Sequence, residues 1–214
     1  MEYLEPNKGL KVFDIKFDVT TAGPSPNNNK RIELFLLGCR KAASGHPCKG
    51  CFNQALWHAN KAEFSRDPVE IAKWIIERTP KNERYITLGG GEPTDQIDQI
   101  IPLCKELKKA GFHIMMYTWR EMIIEFRTEG EFRTKLLDLY KYIDMIVDGQ
   151  FQIEKRLYQE DAADGLLSSI GSGNQIIWDT RQLIGYAMED LNSIHLDENN
   201  RVVFDVKEWK NESN

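Results

Sequence analysis

The 214-residue chain carries 28 Lys and Arg against 33 Asp and Glu, and this net charge of −5 gives no electrostatic reason to expect nucleic acid or an anionic membrane as partner. Its 41% hydrophobic and 29% charged residues suit a globular domain with a real core, and no apolar run reaches the roughly 20 residues needed to cross a bilayer. The start, Met1-Glu2-Tyr3-Leu4-Glu5-Pro6, lacks the basic-then-apolar pattern of a secretory signal, so a cytoplasmic protein is expected.

The first strand signal spans 11–20, where Val12, Phe13, Ile15, Phe17 and Val19 recur at close to period two. The Pro-, Ser- and Asn-rich stretch 21–29 reads as a loop. Residues 32–37 form a short apolar run of buried-strand type ending at Gly38-Cys39, and 39–53 is loop-like. Asp67-Pro68 has the chemistry of a helix start, and Val69, Ala72, Ile75 and Ile76 supply that helix with an apolar face. Residues 85–88 predict a strand that ends in Gly89-Gly90-Gly91-Glu92-Pro93. A helix follows over 96–110, stopped by Gly111, and then a strand over 113–117. Helical patterns near 121–126 and 132–140 precede a strand at 145–147 ending in Asp148-Gly149, and 175–178 predicts one more strand. Beyond Ile194, two short strands around Asp197-Glu198-Asn199-Asn200 predict a terminal hairpin.

This alternation predicts an α/β fold with a parallel sheet, open or partly closed into a (β/α) barrel. The expected organisation is one domain over 1–190, with an N-terminal strand, a cysteine loop at 38–53 and the partial barrel, then a hairpin and tail over 191–214. The unusual residues all fall just after strands: Cys39, the Gly89 to Pro93 run, Tyr117-Thr118 and Asp148-Gly149. In parallel α/β folds the carboxyl ends of the strands form one face where ligands bind, so these residues are expected on a single rim.

Three of the four cysteines crowd together as Cys39, Cys48 and Cys51, a C-x8-C-x2-C pattern. Such crowding without an export signal reads as metal ligation rather than a disulfide framework. Spacing alone leaves zinc and an iron–sulfur cluster open; zinc would want a fourth ligand, for which His46 and His58 are the candidates. Cys104 is different, because it shares a helical stripe with Ile97, Ile100, Ile101 and Leu107 and is expected to be buried as a small hydrophobe. The glycine run fits neither a P-loop nor a dinucleotide fingerprint, but glycines at a strand end let the backbone approach a ligand closely.

The three-cysteine loop after one strand and Gly90-Gly91-Glu92-Pro93 after the next resemble the radical S-adenosylmethionine (SAM) superfamily. Within it, the likeness is to the activating enzymes of anaerobic ribonucleoside-triphosphate reductase. It is carried by Cys48-Lys49-Gly50-Cys51-Phe52-Asn53 with Trp57, Met116-Tyr117-Thr118, Ile143 through Phe151, and Gly171-Ser172-Gly173-Asn174-Gln175. The chain departs from that pattern in three ways. Eight residues rather than three separate the first two cysteines, simply explained by an insertion that bulges away from the site. Trp119 stands where a glycine usually follows Tyr-Thr. The chain is also longer, mainly before Asp14 and after Thr180.

The resemblance implies a partial radical SAM barrel with a C-terminal hairpin. It implies a [4Fe–4S] cluster on Cys39, Cys48 and Cys51 whose open iron binds SAM, with Gly50, Phe52, Asn53, Gly90, Gly91, Glu92, Thr118 and Asp148 as cofactor-side residues. Phe52, Asn53, Thr118 and Asp148 have equally plain structural readings as core or turn residues. The implied chemistry is one-electron reduction from a flavodoxin-like donor and cleavage of SAM to a 5′-deoxyadenosyl radical. That radical would place a glycyl radical on the large reductase subunit, with no acid–base pair required. Two rivals stand beside this reading: a radical SAM enzyme acting on a small molecule, of the 7-carboxy-7-deazaguanine synthase kind, and a zinc-stabilised interaction domain.

Overall fold

The computed structural model describes residues 9–20, 30–58, 65–157, 170–179, 194–196 and 202–204; the expected loop at 21–29 and the turn around 197–200 lie outside them. The chain runs through β1 (Leu10–Thr20), β2 (Lys30–Leu36), α1 (Arg40–Ala43), β3 (Ser65–Arg66), α2 (Pro68–Arg78) and β4 (Tyr85–Gly90). It continues through α3 (Ile97–Lys109), β5 (His113–Tyr117), α4 (Met122–Arg127), α5 (Glu131–Tyr140), β6 (Met145–Asp148) and β7 (Ile176–Asp179). A separate two-stranded antiparallel sheet pairs β8 (Ile194–Leu196) with β9 (Val202–Phe204).

Local chemistry sets the helix ends. Asp67 caps α2, its Oδ1 accepting the amides of Val69 and Glu70 at 2.9 Å, with Pro68 opening the first turn. At the far end of α3, Gly111 takes φ +85°, and the amides of Gly111 and Phe112 return to the carbonyls of Lys108 and Leu107.

The main sheet has seven strands in the order β3-β1-β2-β4-β5-β6-β7. The four central strands, β2, β4, β5 and β6, are mutually parallel, as the alternation predicts. The outer strands depart from the parallel arrangement, since β1 runs antiparallel to β2 and β7 antiparallel to β6. Only nine residues, 21–29, link β1 to β2, which is too few for a parallel crossover. Gln175, just before β7, lies at the rim where β6 ends, its Nε2 donating to the Gly149 carbonyl at 3.0 Å, so β7 enters the sheet from that end.

Period-two alternation sorts the central strands between two clusters. Ile114, Met116, Ile146 and Trp178 join the larger one, where Ile71 and Ile75 of α2, Ile100, Leu103, Cys104 and Leu107 of α3, and Leu136 and Leu139 of α5 cover one sheet face. Met115, Val147 and Ile177 point to the opposite face with Met145 and Ile170. Each fully buried Leu or Ile contributes about 1.5–3 kcal/mol, so the helix-covered face carries most of the stability. Cys104 lies in that core with no exposure, and burial pushes its thiol pKa up, as its helical stripe predicts. No helix among the described residues is long and apolar enough to cross a membrane. The parallel strands end at one rim, and the site is built there.

Candidate cluster and cofactor site

Cys39, Cys48 and Cys51 are free thiols that line one cavity together with the glycine run 89–91, Glu92, Thr118 and Trp119. These residues come from the loops after β2, β4 and β5, with Gly149 arriving after β6. Parallel pairing is what gathers them, because Phe35 and Leu36 lie beside Gly89 and Gly90, and Tyr117 beside Val147. The cavity holds about 140 Å³, less than a nucleoside-sized ligand fills. A compact inorganic group suits it, and a larger ligand would extend over the rim. Larger grooves lie elsewhere among the described residues, about 470 Å³ beside Phe13 and Trp74 and about 650 Å³ around Arg31 and Glu83. Neither contains a cysteine or the glycine run, so chemistry rather than size selects the site.

Two of the glycines have no room for a side chain. A Cβ on Gly91 would stand 2.0 Å from the Gly38 carbonyl oxygen, and one on Gly90, where φ is +103°, would stand 2.4 Å from the Leu36 amide nitrogen. The backbones are that close because Gly91 and Glu92 donate to the carbonyls of Leu36 and Gly38 at 2.8 and 2.7 Å. Gly89 differs: a Cβ there meets nothing within 4 Å, although the residue is part of the cavity wall. Three free thiols facing open glycine backbone across one cavity fit a cluster held by thiolates.

Behind the cavity, Glu92 is buried and its carboxylate joins two loops. Its Oε1 accepts the Thr94 amide and the hydroxyls of Thr94 and Thr118, at 3.0, 2.6 and 2.8 Å, and its Oε2 accepts the Trp119 amide at 3.0 Å. Burial, followed by the charge of Asp95, pushes its pKa up to about 7 against those donors. Asp95 accepts the Arg40 amide at 2.6 Å, next to Cys39, and pairs with Arg120 at 3.2 Å. Arg120 also binds Thr94 Oγ1 and Glu125. This network ties the cysteine, glycine and Tyr-Thr loops to one another. Sequence reasoning missed Asp95 and Arg120, which belong to no motif and meet only in space.

The cysteines differ in environment. Burial pushes the Cys39 thiol up to about 11, partly offset by the backbone amides of Ala42 and Lys41, and burial also raises Cys48. Any metal binding by these two thiols as thiolates would have to displace their protons. The Trp57 indole N–H donates to Cys51 Sγ at 3.4 Å.

The segment between the first two cysteines does not simply bulge away. Arg40–Ala43 forms α1, closed by the Ala43 amide on the Cys39 carbonyl and anchored through Arg40 to Asp95, so that Ala42 joins the cavity wall. His46 and His58, the candidates for a fourth zinc ligand, are exposed and lie outside that wall. Among the described residues, no three His, Cys, Asp or Glu side chains form a site for one metal ion. A cluster has no such requirement, because each thiolate binds a separate iron.

Of the other residues singled out from the sequence, Asn53 and Thr118 line the cavity, whereas Gly50, Phe52 and Asp148 do not. Gly50 takes φ +73° in the turn between Cys48 and Cys51, against Ile153. Phe52 is 62% exposed and packs on Phe151, ring centroids 4.6 Å apart, and Phe151 reaches the cavity in its place. Asp148 is buried, and its Oδ2 accepts the Met122 amide at 2.7 Å, tying β6 to α4; burial pushes its pKa up to about 7. Gln175 lines the cavity while its Oε1 accepts the amides of Gly171 and Ser172, so the Gly171 to Gln175 stretch closes on itself as a compact turn.

The family described as 4Fe-4S single cluster domain matches residues 28–178, a span that contains every cavity residue named above. The chain belongs to this radical SAM-type 4Fe-4S family. It is similar to the anaerobic ribonucleoside-triphosphate reductase-activating protein of Haemophilus influenzae, 28% identical over 152 residues, covering 69% of this chain and 86% of that protein. The protein of the same name from Vibrio cholerae is 28% identical over 150 residues, again 69% of this chain and 86% of that one. That of Enterobacteria phage T4 is 26% identical over 155 residues, 69% and 83% respectively. As a member of a radical SAM family this protein is an enzyme built on a 4Fe-4S cluster domain. In such a family the hard chemistry belongs to the cofactor, and the protein supplies binding, orientation and electrostatics.

Proposed function

We propose that this protein is an activase that generates a glycyl radical on an anaerobic ribonucleoside-triphosphate reductase. The observation that carries the reading is the wall of three free thiols facing the glycine run across one cavity. The relatives that bear the activase name match over 83–86% of their own length, which supports the same target. Cys39, Cys48 and Cys51 would hold a [4Fe–4S] cluster; bound SAM, reductively cleaved there, supplies the radical chemistry. The backbone of Gly89 to Gly91 and the polar groups of Asn53 and Thr118 would orient SAM, while the buried Glu92 carboxylate holds the Thr118 loop in register. Gly50 and Asp148 would shape the loops rather than touch the cofactor, and Phe52 would brace Phe151. The electron would come from a flavodoxin-like donor. The separate β8–β9 sheet supports taking residues 191–214 as a hairpin and tail on a 1–190 cofactor domain.

The test is anaerobic incubation of reconstituted protein with SAM, reductant and the purified large reductase subunit. A glycyl-radical EPR doublet on the reductase, absent without SAM, is the expected result. Cleavage of SAM with no radical on the reductase would replace this reading with the small-molecule one, which the lengthened cysteine segment favours. Uptake of one zinc with no iron would replace both.

A further inference from the structure

Two of the three departures from the family pattern meet in space. The lengthened cysteine segment carries Lys41 on α1, and its ammonium lies 5.0 Å from the ring centroid of Trp119, the residue at the usual glycine position. Trp119 and Ala42, the neighbour of Lys41, both line the cysteine cavity. Lys41 makes no ion pair with any described residue, whereas Arg120, on the same indole at 4.8 Å, is committed to Asp95 and Glu125. An ammonium on an aromatic face is held without being neutralised. Glu92, a buried acid, lines the same cavity, and Asp95 accepts the Arg40 amide next to Cys39.

We propose that Lys41, seated on Trp119, is the cation that sets the potential at the cysteine site, with Trp119 as its positioning residue. A cluster that gains one electron from an external one-electron donor becomes more negative, and a fixed positive charge beside it favours that state. Lys41 exchanges no proton in this step, and the electron remains on the cluster. The inference rests on the cluster-bearing reading of the cavity and on nothing about the target.

The first test needs no cluster. In cluster-free protein, the rates at which iodoacetate and iodoacetamide alkylate Cys48 are measured by mass spectrometry. Their ratio reports the potential at the sulfur, because the thiol's own ionisation cancels. Lys41→Gln lowers the ratio several-fold, Trp119→Ala lowers it in part, and Lys41→Arg and Trp119→Phe leave it unchanged. Lys49→Gln has the smaller effect, because Lys49 is 82% exposed and pairs with Glu154. In reconstituted protein, an EPR-monitored redox titration of Lys41→Gln shows a lower midpoint, by about 59 mV for a tenfold change in a one-electron equilibrium. An unchanged alkylation ratio in Lys41→Gln overturns the proposal, as does an unchanged midpoint at equal iron content. Neither readout involves the reductase, so failure here and failure of the activase reading are distinguishable.

Discussion

Replacing Gly91 by alanine adds a methyl group 2.0 Å from the Gly38 carbonyl oxygen and 2.7 Å from its carbon. Ordinary contact begins near 3.4 Å, so the two backbones must part by about 1.4 Å, and neither is a flexible side chain that could swing aside. That separation breaks the bonds from Gly91 to Leu36 and from Glu92 to Gly38, at 2.8 and 2.7 Å. Each buried group left unsatisfied costs about 1–3 kcal/mol, so the pair costs about 2–6 kcal/mol. At roughly 2–4 °C per kcal/mol for a chain of this size, Tm of the cluster-free protein falls by about 10 °C. The matched control is Gly89→Ala, whose methyl meets nothing within 4 Å and which should leave Tm within about 2 °C of the parent. Gly89→Leu should also fold, yet fill the cavity and block the SAM-induced change in the reduced-cluster EPR signal. Calorimetry that found Gly91→Ala as stable as Gly89→Ala would refute the close-approach argument.

Alanine at Cys39, Cys48 or Cys51 should abolish iron binding on anaerobic reconstitution, whereas Cys104→Ala keeps its iron and loses only about 1–2 kcal/mol of core packing, read by urea denaturation. His113, whose Nδ1 lies 3.4 Å from Arg31, is pushed down to about 4 by burial and then by that guanidinium. The unfolded chain therefore binds the extra proton between pH 6.5 and 4, and stability declines as pH falls through that window; a His113→Gln variant should show a flatter urea-midpoint profile there. Asp148 is shifted the other way, up to about 7, so the folded state holds the extra proton and stability declines as pH rises from about 4 to 7. Asp148→Asn, which can still accept the Met122 amide, should lose that decline while keeping the SAM-dependent EPR change. Loss of the EPR change would mean that Asp148 contacts the cofactor.

Much of the fold was legible because local chemistry coincided with tertiary need. The Asp67-Pro68 start, the Gly111 stop and the stripe through Cys104 are short-range signals, and each lies where its pattern placed it. The two-residue strand β3 left no trace, since two residues cannot display a period and Ser65–Arg66 pairs only because β1 offers an edge. The outer strand directions were also hidden, because periodicity reports which face a residue occupies and says nothing about which neighbour a strand joins.

The same division runs through the site. Residue type and spacing determined that three thiols and a run of glycines would end neighbouring strands, and strand parallelism alone put them on one rim. What tertiary structure decided is which side chains serve that rim from a distance. Asp95 holds the amide next to Cys39, Glu92 locks the Thr118 loop, and Phe151 rather than Phe52 reaches the cavity. Lys41 and Trp119, 78 positions apart by their numbers, become neighbours only when β2 and β5 flank β4 in the sheet. Hydrogen bonds and charge contacts act over a few ångströms, so such partners are set by how the strands are ordered and not by any pattern along the chain.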